Sequence, residues 1–174
     1  MTPQERALLG PVEKLFLDIS DRLATVDDIE WIDLEAGQLE IPEETYPVQF
    51  PCVLIDFPSA EFENETQGNQ QATLMVQVKL GIDLYEDLHM SDGNATPDRD
   101  TAVNRLGLIT KIHKVLHGFE GDYFTPLVRM GFQTERRDDG IKVFTLLYGT
   151  GAKDDSACKV ATVATGLGMT FRPL

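Results

Sequence analysis

The 174 residues are 42% hydrophobic and carry a formal net charge of −14, which suits one domain with a real core. No apolar run approaches the roughly 20 residues needed to cross a bilayer, and Met1 to Arg6 lacks the basic start and apolar stretch of a signal peptide, so a cytoplasmic chain is expected. Residues 1–70 hold sixteen acids against Arg6, Lys14 and Arg22, a surface that repels a phosphate backbone and disfavours nucleic-acid binding.

Val12, Leu15, Phe16, Ile19 and Leu23 recur at three- and four-residue spacing, which predicts an amphipathic helix over about residues 4–25. Ile29–Leu34 alternates as a short strand, and Glu35–Gln49, with several Glu and two Pro, reads as an exposed connection. Pro51–Phe57, with Val53, Leu54 and Ile55, predicts a second strand covered on both faces and closed by Pro58. Ser59–Gln71 is polar and reads as a loop.

The strongest pattern in the chain follows. From Ala72 to Tyr85, Leu74, Val76, Val78, Leu80, Ile82 and Leu84 occupy every even position, with Thr73, Gln77, Lys79 and Asp83 between them. Such a run is one long half-buried strand reaching roughly 45 Å, either bent at Gly81 or projecting beyond the body of the domain. Glu86–Ala95 reads as a second loop, and Thr96, Pro97 and Asp98 supply the cap, first-turn proline and early acid of a helix that ends near Gly118. Its broad apolar face of Val103, Leu106, Leu108, Ile109, Ile112, Val115 and Leu116 should cover one face of the sheet.

Pro126–Glu135 and Ile141–Tyr148 flank Arg136 to Gly140 and predict an antiparallel hairpin, with Gly140 taking a positive φ angle. Val128, Met130 and Phe132 alternate on one side of its first strand; the second strand reads as covered on both faces. The expected domain is therefore residues 1–150, α+β, with a mainly antiparallel sheet of about five strands and two packed helices in the order α-β-β-β-α-β-β. Gly151–Leu174, rich in Gly, Ala and Thr, is left as a further strand or an arm that orders on a neighbour.

Chemistry is harder to find. His113 and His117 stand one helical turn apart, but Lys114 occupies the place of the Glu that a zinc-protease helix requires and no third ligand is near in sequence. The loop around Asp92-Gly93 puts Leu88, Met90 and Arg99 where an EF-hand needs oxygen ligands. Paired acids such as Asp27-Asp28 and Asp154-Asp155 lie in polar stretches, where carboxylates stay solvated. Cys52 and Cys158 are expected as unpaired thiols. No catalytic residue, metal site or cofactor is predicted.

The stretch from Tyr46-Pro47 to Pro51-Cys52-Val53-Leu54-Ile55, the strand Thr73–Leu84, the helix segment Asn104–Ile109 and the hairpin through Gly140-Ile141-Lys142-Val143 together resemble the tail terminator and tail completion proteins of long-tailed phages, over about residues 5–150. The resemblance rests on the order of elements. It implies a prophage-encoded, noncatalytic protein that forms a ring on the tail tube and joins it to the head. Its partners would be copies of itself and other tail or head-tail proteins, met in the bacterial cytoplasm during assembly and retained in the virion tail. The family has no catalytic residues to carry over. Tyr46, Met75, Gln77, Lys79, Arg136 and Arg137 are the expected interface residues. The competing reading is a cytoplasmic dimer that binds a small molecule between helix and sheet, which would need a deep apolar pocket.

Overall fold

The computed structural model describes residues 2, 5–6, 8–40, 48–66, 68–83, 96–137 and 139–158. Its elements are α1 (Pro11–Leu23), β1 (Trp31–Leu34), a 3-10 turn (Gln38–Glu40), β2 (Cys52–Thr66), β3 (Asn69–Asp83), α2 (Thr96–Leu116), β4 (Val128–Glu135) and β5 (Ile141–Asp154). The fold is α+β in the expected element order. The five strands form one sheet in the order β1-β2-β3-β5-β4; β1 runs parallel to β2 and every other neighbouring pair is antiparallel. Tyr46, the Glu86–Ala95 loop, the Thr96 cap and residues 159–174 lie outside the described residues and side chains.

The even-numbered residues of β3 carry the core. Leu74, Val76, Val78, Leu80 and Ile82 are buried with Val53 and Ile55 of β2 and Phe144, Leu146 and Tyr148 of β5, beneath Leu15, Ile19 and Leu23 of α1 and Leu108, Ile112 and Leu116 of α2. The four-residue spacing on each helix aligns those side chains in one stripe. Both helices therefore lie on the same face of the sheet.

The opposite face holds a smaller cluster of Cys52, Leu54, Ile141 and Val143, roofed by Leu39, Val48 and Phe50 from the connection after β1. Cys52 to Ile55 are consequently buried on both faces, as their unbroken apolar run predicts. Gly81 sits opposite Cys52, and a Cβ there would come within 2.7 Å of the Cys52 sulfur and 3.2 Å of the Phe50 ring. The glycine lets the roof approach the sheet.

Four expectations change. The expected first helix is interrupted: Glu5 and Arg6 are helical, Leu8–Gly10 are not, and α1 runs from Pro11 to Leu23, because proline favours the first helical turn and disfavours helical backbone at Gly10 before it. Pro58 does not end β2 and Ser59–Gln71 is not a loop, because β2 runs to Thr66 and β3 starts at Asn69. The register shifts between Asp56 and Ser59, and Pro58 falls within that irregularity, where no ladder amide is required. In β4 the register shifts between Arg129 and Gly131. Val128 and Phe132 therefore face opposite sides of the sheet instead of sharing one. Finally, β5 continues past Gly149 to Asp154, so Gly151 and the next three residues belong to a strand already in the sheet.

Candidate functional site

The candidate site is the pair of strand edges left open by this topology. β1 pairs only with Cys52–Ile55, and among the described residues no strand pairs with the outer side of β2 beyond Ile55. β3 and β5 remain paired as far as Gln70 and Asp154. The result is an arm made of the distal halves of β2, β3 and β5, with β2 at its border. Every described β2 residue from Pro58 onward is exposed.

The far border of the arm is closed. Thr125 N–H donates to the Gly151 carbonyl at 2.8 Å, and Lys153 N–H donates to the Tyr123 carbonyl at 2.8 Å. Gly151 N–H donates to Thr125 Oγ1 at 2.8 Å. This covering segment is held to α1 by the Tyr123 hydroxyl, which donates to Asp18 Oδ2 at 2.6 Å, while Arg6 pairs with the same carboxylate. Burial and the Asp18 carboxylate raise the Tyr123 pKa well above its usual value.

The open β2 border is acidic. Glu61, Glu63 and Glu65 are exposed along it, and the chain has no Lys or Arg between Arg22 and Lys79. Phe62 is exposed at 45% and lies opposite Ala72, which belongs to the helix-side core. Side chains directly opposed across a ladder share a face, so Phe62 is on the helix side.

The second edge, without a further strand partner among the described residues, is β4, and it is apolar. Val128, Met130 and Phe132 are each more than half exposed. Phe132 opposes Leu146 on the helix side and Val128 opposes Gly149 on the other; Met130 lies over Gly149, where a Cβ would come within 3.0 Å of its sulfur. A basic residue stands at each end, Arg129 and Arg136. Arg129 N–H donates to His117 Nδ1 at 3.2 Å, and the His117 ring lies 4.7 Å from that of His113.

His113 Nδ1 is shielded from solvent without a hydrogen-bond partner among the described residues; burial, then the Arg129 and His117 charges, lower its pKa. Tyr148, opposite Arg129, is fully buried, and burial pushes its pKa up to about 12. No group of three or more His, Cys, Asp and Glu residues is placed to hold a metal among the described residues, and no described helix is long and apolar enough to cross a membrane.

The expected interface residues separate into three groups. Tyr46 lies outside the described residues. Met75, Gln77 and Lys79 occupy the face away from the helices and are half-buried; Lys79 Nζ is 3.1 Å from Glu35 Oε2, which ties the sheet to the connection after β1. Arg136 is exposed, whereas Arg137 is a clamp: it meets Glu40 at 2.7 Å and Asp139 at 2.6 Å, and also donates to the Leu39 carbonyl. Sequence reasoning passed over Glu61, Glu63 and Glu65, whose signal was their every-second-residue spacing. It also did not read Val128, Met130 and Phe132 as exposed. A cleft of about 320 Å³ at the β4–β5 turn is lined by Thr134, Glu135, Arg136, Arg137, Ile141 and Lys142 among others; of its two arginines, Arg137 is engaged by Glu40 and Asp139.

No protein-family model matches the chain, and no curated protein matches it in sequence. Among solved structures, a chain from the virion of a native gene transfer agent (GTA) particle is similar with a TM-score of 0.48 and 8% identity, covering 80% of this chain and 94% of that one. A likeness this distant does not carry a function across.

Proposed function

We propose that this chain is a noncatalytic structural protein of a phage-type particle, a tail terminator or head-tail joining component that assembles into a ring on the tail tube. The observation that carries the reading is one sheet whose two borders, β2 beyond Ile55 and β4, differ and have no outer strand partner among the described residues. The acidic β2 border is paired to β3, the apolar β4 edge to β5, and β3 to β5, so one hydrogen-bonded sheet joins the two. Unpaired edges recruit further strands unless something blunts them, and two unlike edges on one subunit suit a head-to-tail ring. The order α-β-β-β-α-β-β supports the tail-terminator assignment through the resemblance set out above. The partners are copies of this chain and the tail or head-tail proteins above and below the ring, encountered in the bacterial cytoplasm and kept in the virion.

Light scattering across a wide concentration range tests the reading against the 19.4 kDa subunit mass. A discrete multi-subunit species that dissociates on dilution is the expected result. A fixed dimer at every concentration would overturn it in favour of a dimeric ligand-binding domain.

A further inference from the structure

Resting on that ring reading, we propose that the outer edge of β2, residues 59–66, pairs with β4 of a second copy, so that the sheet continues head to tail from each subunit into the next. Length is the first argument. β4 has eight residues and Ser59–Thr66 of β2 spans the same number, so a shared ladder would run along both borders without overhang, with the Arg129 amide already held by His117. Strand addition of this kind draws its stability from main-chain hydrogen bonds and its selectivity from alternate side chains.

Face matching is the second. Phe62 and Phe132 are both exposed, and both lie on the helix side of their own sheet. Continuing the sheet across the junction places them on one face, where each removes apolar surface of the other from water. On the opposite face, Val128 and Met130 offer an apolar bed to the aliphatic stems of Glu61 and Glu63, whose carboxylates remain in solvent.

Charge decides the direction of assembly. Two arms meeting edge to edge would bring Glu61, Glu63 and Glu65 of each copy together with no arginine or lysine of β2 to offset them. An arm meeting β4 instead finds Arg129 and Arg136 at the strand ends, with His117 held beside Arg129. Like charges suppress the symmetric pairing and opposite charges favour the heterologous one. Because each subunit then has one donor edge and one acceptor edge, the contact repeats until it closes.

The test uses two variants of the full chain that disable different edges. The arm variant is Glu61→Lys, Glu63→Lys and Glu65→Lys; the edge variant is Met130→Ser and Phe132→Ser, which removes the apolar contact without giving the lysines of the other variant an acidic partner. All five positions are exposed, and circular dichroism with thermal unfolding verifies that each variant folds. Each variant alone should have the mass of one subunit under conditions where wild type assembles. Mixed one to one at higher concentration, they should form a two-subunit species and stop, since the intact arm of one fits the intact β4 of the other and neither remaining edge works.

If wild type assembles but either variant keeps the wild-type mass, or the mixture never forms the pair, this interface is wrong and the ring forms through another surface. A wild type that stays a single subunit throughout removes the ring reading as well. Salt gives an independent check: the concentration needed for assembly should rise with ionic strength, whereas an apolar β4-to-β4 dimer would not respond in that direction.

Discussion

β2, β3 and β5 run through two environments. In the body, between Cys52 and Ile55 on β2 and from Val76 to Ile82 on β3, side chains meet helices on one face and the roof of Leu39, Val48 and Phe50 on the other. In the arm the same strands keep their ladder but β2 loses its cover on both faces. The contrast separates two sources of order. Apolar burial holds the body, whereas the β2 border of the arm is held by main-chain hydrogen bonds to a strand that is itself anchored elsewhere. A surface kept this way is available for a partner without being needed for folding.

The largest effect that sharpens this contrast comes from matched truncations. Leu80→Ala in the body removes a fully buried side chain from the main core and should cost about 2–5 kcal/mol. Phe62→Ala in the arm should cost within about 0.5 kcal/mol while weakening assembly. Denaturant unfolding of the subunit measures the first, and the concentration midpoint of assembly measures the second. Equal destabilisation by both would erase the distinction between body and arm.

That same division decided what the sequence disclosed. β3 was legible over residues 72–83 because one face is buried and the other only half so, and Leu74 to Ile82 record that as strict alternation. The distal half of β2 left no such record: with both faces in solvent, Glu61, Phe62 and Glu63 satisfy a strand without a buried partner pattern. The facing of Phe132 was lost to the β4 bulge, one inserted residue that reverses side-chain parity. Arg137 reads in the sequence as an interface residue, yet its partners Leu39 and Glu40 are nearly a hundred residues away, and no local spacing announces such a pair. The helices were legible in type and in apolar stripe. The edges, which carry the proposed function, were not, because an edge is defined by the strand that is missing.

A middle-sized effect should come from the clamp that holds the roof on the body. Arg137→Ala removes hydrogen bonds to Asp139, Glu40 and the Leu39 carbonyl from a side chain that is 11% exposed, and should cost about 1–3 kcal/mol. The Asp139 pKa is lowered, chiefly by hydrogen bonding to Arg137. A depressed carboxylate contributes stability above its unfolded pKa of about 4 and loses it as pH falls through its folded value. Wild type should therefore lose more stability than Arg137→Ala as the pH drops below about 4. Parallel curves would show that the ion pair does not secure the roof.

The two cysteines place one chemical probe in each region, and their alkylation should differ without any change in overall stability. Cys52 is fully buried beneath Phe50 and against Gly81, and burial raises its pKa to about 11 from a usual 9.0. Two pH units mean roughly a hundredfold less thiolate at neutral pH, and the thiolate is the nucleophile. Closed access slows it further, so Cys52 should react with iodoacetamide only through openings of the body, at a rate that follows denaturant unfolding. Cys158 stands at the tip of the arm, its thiol against the Gly68 carbonyl and Asn69 Oδ1 at 3.3 and 2.8 Å, and it is partly exposed. It should be labelled first, by mass spectrometry of the digested chain, through local fraying of the β2–β3 turn. Phe62→Ala should leave the Cys52 rate unchanged, since the body does not depend on the border of the arm. If that substitution accelerates Cys52, the two regions open together and the arm is part of the folding core after all.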